Sequence, residues 1–276
     1  MSDAGYFLDN ENYFDENEND FHNEESKSER RFRVIILSLL VVMGILLLGE
    51  FVLWRFIKPS LSSPKVTISG YKNMSAEDVA MKLIPMNSRN WFTFDVNVAA
   101  GILSSESCIK NVDIVKHFPD KILVNINERV PVAVTYINQK GKSIPMQIDE
   151  TGVLFSNKNN AIVAQSGIPI LSGIPVDNMT DGMRIPAKYK TLINQISQIQ
   201  NLPQKYFAAV SEICVVPKDS GNYELVLIPS SGHTKVLTDR ALNEEALKYM
   251  MVVLDVVKQL KPDATAVDMR YGSVSY

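Results

Sequence analysis

FPDKILVNINERVPVA, residues Phe118 to Ala133, is the stretch on which the fold turns. In Phe118-Pro119-Asp120-Lys121 the proline presets a turn dihedral and the aspartate can hydrogen-bond backbone ahead of it. Lys121–Val130 reads as the strand leaving that turn, and Val112–Phe118 as the strand entering it. Upstream, Val98, Ala99, Ile102 and Leu103 fall on one face of a helix. Ser75-Ala-Glu-Asp78 resembles a capping box, starting a short helix through Val79, Met81, Leu83 and Ile84 that Pro85 stops. Lys65–Gly70 alternates Val66 and Ile68 with polar neighbours and ends on glycine, which predicts a strand. The order strand, helix, helix, strand, strand predicts one small α+β unit over residues 65–131.

Further toward the N-terminus, Val34–Trp54 reads VIILSLLVVMGILLLGEFVLW, with Glu50 its one charge. At about 1.5 Å per residue this run spans a hydrocarbon core of about 30 Å. It exceeds the apolar core of a signal peptide, no A-x-A site follows it, and no cysteine follows to accept a lipid. Lys27, Arg30, Arg31 and Arg33 crowd its near side, against Arg55, Lys58 and Lys65 beyond it. The positive-inside rule then predicts a cytoplasmic N-terminus and an extracytoplasmic C-terminus. Residues 1–33 carry ten Asp/Glu and a net charge of −6, with Tyr6, Phe7, Leu8, Tyr13, Phe14 and Phe21 interleaved. Such a tail is predicted to be disordered, either merely solvated or holding a short docking motif. The Pro/Ser-rich stretch Lys58–Pro64, within residues 55–64, is predicted to be an irregular linker.

Downstream, residues 132–276 read as a β-rich domain with two helices. Val132–Ile137 and Lys142–Ile148 flank one turn, and Asp149-Glu-Thr-Gly152 precedes Val153–Phe155. Leu192, Ile193, Ile196 and Ile199 mark a helix within Ala187–Asn201, and Ser211–Val216 with Tyr223–Ile228 form a hairpin. Leu242–Leu260 is a long amphipathic helix with Asn243-Glu-Glu in its first turn and Lys258 in its last, and Ala266–Tyr271 is a final strand.

From Lys65 onward the charge nearly balances at +2, which offers no broad field to a phosphate backbone and argues against nucleic-acid binding. Cys108 and Cys214 match no metal-ligand spacing and are expected to be buried free thiols. Ser-x-x-Lys occurs at Ser62–Lys65, Ser69–Lys72 and Ser107–Lys110, but without the Lys-Thr-Gly strand that this chemistry also needs. His22, His117 and His233 are the only histidines, and His22 is predicted to lie across the membrane from the others. No Gly-x-Ser-x-Gly and no phosphate-binding loop appears, so no catalytic, metal or cofactor site is expected and the reading is of a protein that binds other proteins.

FPDKILVNINERVPVA resembles the end of the POTRA domain in the bacterial cell-division family FtsQ/DivIB, where an aromatic-Pro-Asp turn leads to Glu-Arg-x-Pro-Val-Ala. VTISGYKNMSAEDV (Val66–Val79) is similar to that domain's opening strand and first helix. IDETGVLF (Ile148–Phe155), IPILSG (Ile168–Gly173) and VDMRYGS (Val267–Ser273) resemble three further family motifs in the family's order. Near the family's Leu-Gly, this chain departs with Val236-Leu237-Thr238-Asp239. The sequence given ends at Tyr276, so contacts made by longer tails in the family are not expected.

The resemblance implies a non-enzymatic scaffold of the division septum in the inner membrane. It would hold single-pass partners like FtsB/DivIC and FtsL and help control septal peptidoglycan synthesis. The family's partner-binding residues fall on Arg270, Tyr271, Gly272 and Ser273, and Val274, Ser275 and Tyr276 would extend the strand. Val267–Tyr276 is therefore expected to be an exposed edge strand that captures a partner strand. An alternative is an anchored POTRA-containing accessory or chaperone of envelope protein export, and a third class is an anchored peptidoglycan enzyme. No small-molecule substrate is expected.

Overall fold

The computed structural model describes residues 27–86, 89–139, 141–156, 167–203, 206, 208–219, 221–239 and 241–276. The chain divides into two compact units, Met1–Lys58 and Pro59–Tyr276. In the first, α1 spans Lys27–Val52 and leaves every large apolar side chain from Val34 to Trp54 exposed. A run of that length and hydropathy is a candidate membrane span, because in water its exposed surface would be strongly unfavourable. The helix starts within the segment expected to be disordered, and the rest of that tail, residues 1–26, lies outside the described residues.

The linker expectation is corrected in part: Leu53–Ile57 is a π-helical turn, and α2 follows at Lys58–Leu61. Pro59 has no N–H to donate, and the wider turn before it, in which Lys58 N–H reaches Leu53 O, lets the helix continue past the missing bond. Ser62 then ends it by donating to the Pro59 carbonyl through both backbone and hydroxyl.

The second unit holds two sheets. In the first, β1 (Lys65–Ser69), β2 (Ile109–His117) and β3 (Lys121–Glu128) take the order β1-β3-β2, with β1 parallel and β2 antiparallel to β3. Ile122, Val124 and Ile126 alternate onto the face that packs on α3 (Ala76–Leu83) and α4 (Val96–Ser104) through Val79, Leu83, Ala99 and Leu103. Ser75 and Asp95 cap these helices, each side chain accepting a backbone N–H of the first turn. Glu128 ties the end of β3 back to the loop before α3, its carboxylate accepting the N–H groups of Lys72, Asn73 and Met74 at 2.8–3.1 Å.

The second sheet has eight strands: β4 (Pro131–Gln139), β5 (Lys142–Asp149), β6 (Leu154–Phe155), β7 (Ile170–Ser172), β8 (Val210–Pro217), β9 (Tyr223–Pro229), β10 (Lys235–Thr238) and β11 (Ala266–Asp268). Their order is β11-β10-β9-β8-β7-β4-β5-β6, so β11 and β6 are the edges. Among the described residues two α-helices serve this sheet, α5 (Lys190–Gln200) and α6 (Glu244–Leu260). Leu192, Ile193, Ile196 and Ile199 of α5 and Leu247 and Met250 of α6 join Leu171, Ile213, Val215 and Leu225 in one core. The fold is α+β with a β-rich C-terminal region, as expected. Val236–Asp239, where the sequence departs from the family's Leu-Gly, is mostly strand β10, and α6 carries the chain across to β11, which pairs parallel to β10.

Candidate functional site

The end of the second sheet is built from β10, α6 and β11. Val253 and Val257 of α6 bury against Val267 of β11, with Met269 and Val274 packed around them. Asn243 caps α6 by accepting the Ala246 N–H, and Glu244 and Glu245 in its first turn suit the positive end of the helix dipole. Flanking this buried face, α6 carries Tyr249, Val252, Val256 and Leu260, all exposed and spaced to form one stripe.

The expected edge strand Val267–Tyr276 is corrected here. β11 ends at Asp268, and Arg270–Gly272 turn the chain back, with Gly272 at φ 69°. Ser275 then bridges Asp268 in antiparallel fashion: Asp268 N–H donates to Ser275 O at 2.8 Å, and Ser275 N–H donates to Asp268 O at 3.1 Å. Met269 N–H points the other way, to Leu237 O of β10. The outward groups of Asp268 are thus engaged by the chain's own tail rather than left open.

Arg270, expected among the partner-binding residues, is bound within the chain. Its Nη1 donates to Glu224 Oε2 at 2.7 Å, and its Nε and Nη2 fork onto the two oxygens of Asp268. Its guanidinium also lies 5.2 Å from the centre of the Tyr271 ring. The side-chain bond from Arg270, followed by the Arg270 backbone N–H, holds the Asp268 carboxyl down at about 2. Bonds from Lys218 and then Arg270 lower Glu224, and the two carboxylates together raise the Arg270 guanidinium. Arg270 is a positioning residue for the turn.

What the turn displays is Tyr271, 74% exposed. Of the seven predicted residues, Val274 and Ser275 hold the tail against β11, Arg270 and Gly272 shape the turn, and Tyr271, Ser273 and Tyr276 face solvent. The α6 stripe escaped notice in the sequence, although its signal was legible. Leu242–Leu260 carries apolar residues on more than the one face that a sheet can cover.

Among the described hydrogen bonds none joins a serine hydroxyl to the lysine of its own Ser-x-x-Lys: Ser62 Oγ donates to Pro59 O and Lys65 pairs with Asp120, the Ser69 hydroxyl lies against Val124 O and Asn125, and Lys110 Nζ pairs with Glu150 at 2.7 Å.

Residues 61–129 match the POTRA domain, FtsQ-type. Over 228 residues the chain is 25% identical to the cell division protein DivIB of Bacillus cytotoxicus, covering 83% of this chain and 81% of that one. Over 247 residues it is 27% identical to the cell division protein FtsQ of Streptomyces bingchenggensis, covering 88% and 87%. The major extracytoplasmic domain of the trans isomer of DivIB from Geobacillus stearothermophilus aligns with a TM-score of 0.28 at 16% identity, covering 50% of this chain and 98% of that domain.

Proposed function

We propose that the chain, similar over most of its length to FtsQ and DivIB proteins, is a member of that family and a bitopic scaffold of cell division that works by binding rather than by catalysis. Its N-terminus is cytoplasmic, its two sheets lie outside, and it gathers at the division septum. There it holds single-pass partners of the FtsB/DivIC and FtsL kind and through them influences septal peptidoglycan synthesis.

One observation carries the choice of surface. At the β11 end of the second sheet, α6 packs on the edge strand through Val253 and Val257, while its apolar stripe Tyr249, Val252, Val256 and Leu260 stays uncovered and Tyr271 is displayed on the turn that follows β11. A partner segment that is helical and then extended can lay its apolar face on Tyr249, Val252, Val256 and Leu260 and add a strand along β11, opening the Ser275 bridge as it does so. Tyr271 then supplies rigid apolar area with a hydroxyl still able to find a partner.

The deciding experiment is affinity purification of the full chain from native membranes, with mass spectrometry of what copurifies. Enrichment of two small single-pass division proteins is expected, together with filamentation when the chain is depleted. A preparation enriched instead in export machinery, with division unaffected by depletion, would favour the chaperone alternative.

A further inference from the structure

On the three-stranded-sheet half of the second unit, aromatic side chains crowd one place. Trp91 meets Phe92 edge-on at 5.3 Å and Phe118 edge-on at 5.4 Å. Phe92 is 56% exposed and Phe118 52%, well above what a soluble surface gains from phenylalanine. The loop that carries Trp91 and Phe92 is fixed from several sides. Trp91 N–H donates to Ser60 O at 3.1 Å and its indole N–H to Lys121 O at 3.3 Å. Asn90 and Thr93 bond each other through backbone and side chain, and Lys116 Nζ binds the Phe94 carbonyl at 3.1 Å while lying 4.6 Å from the Trp91 ring centre. Phe92 is therefore presented outward by a held loop, and Phe118 by the turn between β2 and β3, where it meets Trp91.

Lysines lie beside the cluster. Lys65 and Lys121 stand in register across the end of the sheet, Lys116 lies over the Trp91 ring, and Arg89 precedes Trp91 by two residues. Of the nearby acids, Asp120 is nearly buried and paired with Lys65 at 2.8 Å, and Asp95 caps α4. Exposed aromatics with lysines beside them are the composition of a membrane–water interface, where rings sit at headgroup depth and cations meet anionic lipid. The chain path agrees. Ser60, which holds Trp91, follows Trp54 by six residues, so the two lie at most about 22 Å apart along any path. Trp54 ends the apolar run, so the cluster is within reach of the same leaflet.

We propose that Trp91, Phe92 and Phe118 form a lipid-docking patch that seats the POTRA domain on the outer leaflet through anionic phospholipid headgroups and upper acyl chains. The inference rests on the single-pass reading above, and its test separates the two. The chain has two tryptophans, Trp54 and Trp91, so Trp54→Phe and Trp91→Phe each leave one reporter. Each full-length variant is placed in nanodiscs of phosphatidylglycerol and phosphatidylethanolamine, with and without bromine high on the acyl chains. Acrylamide quenches from the water side.

Lone Trp91 loses emission in brominated discs and is shielded from acrylamide, and Phe92→Ser with Phe118→Ser reverses both effects while circular dichroism stays unchanged. If lone Trp54 is quenched by bromine and lone Trp91 is not, the docking patch is wrong and the span stands. Quenching of neither removes the span and the patch together. Shielding of Trp91 from acrylamide without bromine quenching means that protein covers the patch, a second copy or another surface of this chain, and overturns the lipid assignment. If the double serine variant loses its fold, Phe92→Ser alone takes its place with the same readout, and bromine quenching undiminished in it counts against the patch.

Discussion

Arg129 Nη1 donates to Asp149 Oδ2 at 2.5 Å, joining the residue just after β3 to the last residue of β5. The same guanidinium donates through Nε to the Ser107 carbonyl, and Arg129 N–H donates to the Cys108 carbonyl. The other carboxylate oxygen, Asp149 Oδ1, accepts the Thr151 and Val153 N–H groups and the Thr151 hydroxyl. Two sequence motifs that lie apart in the chain, Glu-Arg-x-Pro-Val-Ala and Asp-Glu-Thr-Gly, thus meet in one ion pair between the three-stranded and eight-stranded sheets.

Removing one member of that pair should be costly. Asp149 is 2% exposed, so Asp149→Ala leaves the guanidinium without its counter-ion and three donors of the turn unsatisfied. A loss of about 3–5 kcal/mol is expected, which for a unit of this size lowers the melting temperature by roughly 10 °C. Arg129→Met should cost nearly as much. Combining Arg129→Met with Asp149→Leu should recover part of the loss and no more, since the turn donors remain unpaired. Thermal unfolding followed by circular dichroism in detergent measures all three.

Gly70 and Gly173 end β1 and β7 with the same Ser-Gly step, at φ 82° and 76°. A β-carbon on Gly70 would stand 2.1 Å from Ile126 O, and one on Gly173 2.0 Å from Val215 O, both backbone atoms that cannot step aside. Gly182, at φ 84°, has nothing within 4 Å of that position. Alanine at Gly182 should therefore cost only the left-handed backbone strain, about 1–2 kcal/mol. Alanine at Gly70 or Gly173 should cost clearly more. Equal costs at all three positions, measured by urea unfolding, would remove the steric argument.

The C-terminal turn should be sensitive to acid only below the ordinary aspartate range. Asp268 titrates at about 2 when folded, against roughly 3.9 for a free aspartate. A carboxyl with a lowered folded value stabilises the turn fully above the unfolded value and loses that contribution as pH falls toward the folded one. The turn should then persist to about pH 4 and open progressively below it. Carboxyl carbon chemical shifts of Asp268 followed by NMR give the midpoint. In Arg270→Gln the midpoint should rise toward the ordinary value, because the fork that favours the charged form is gone.

Much of the fold was legible because burial and local chemistry agreed. The alternation of Ile122, Val124 and Ile126, the Ser75 cap and the stripe of α5 each fix an element without help from distant residues. What escaped the sequence depends on partners far along the chain. Val236-Leu237-Thr238 is too short to announce a strand, and β11 pairs with it only after a seventeen-residue helix. The tail looked like a strand because Val267, Met269 and Tyr271 alternate with polar residues, yet Glu224, forty-six positions away from Arg270, helps to hold the turn that ends it. Trp91-Phe92 carries no mark in the sequence to separate exposed aromatics from core ones.

The remaining prediction concerns the partner surface. Because Arg270 is already bound to Asp268 and Glu224, Arg270→Glu would break the turn itself and cannot separate binding from shape. Ser273 donates to no ladder among the described hydrogen bonds, so proline there is a weak probe. Tyr271→Ser and Val256→Glu are the sharper variants, since both side chains are exposed and neither belongs to a described core. If the tyrosine is an anchor of the interface, its truncation should cost at least about 2 kcal/mol, a roughly thirtyfold weaker Kd. A carboxylate in the middle of the α6 stripe, desolvated by an apolar partner, should cost as much. Ser275→Pro removes the N–H that bridges Asp268, so it frees the Asp268 carbonyl and should leave binding intact or tighten it. The readout is copurification and titration of a purified FtsB/DivIC-like segment against each full-length variant, with circular dichroism matched to wild type. Wild-type affinity in both Tyr271→Ser and Val256→Glu would move the interface away from the β11 end of the sheet. Weakening by Val256→Glu alone would keep the helix stripe and discard the strand addition.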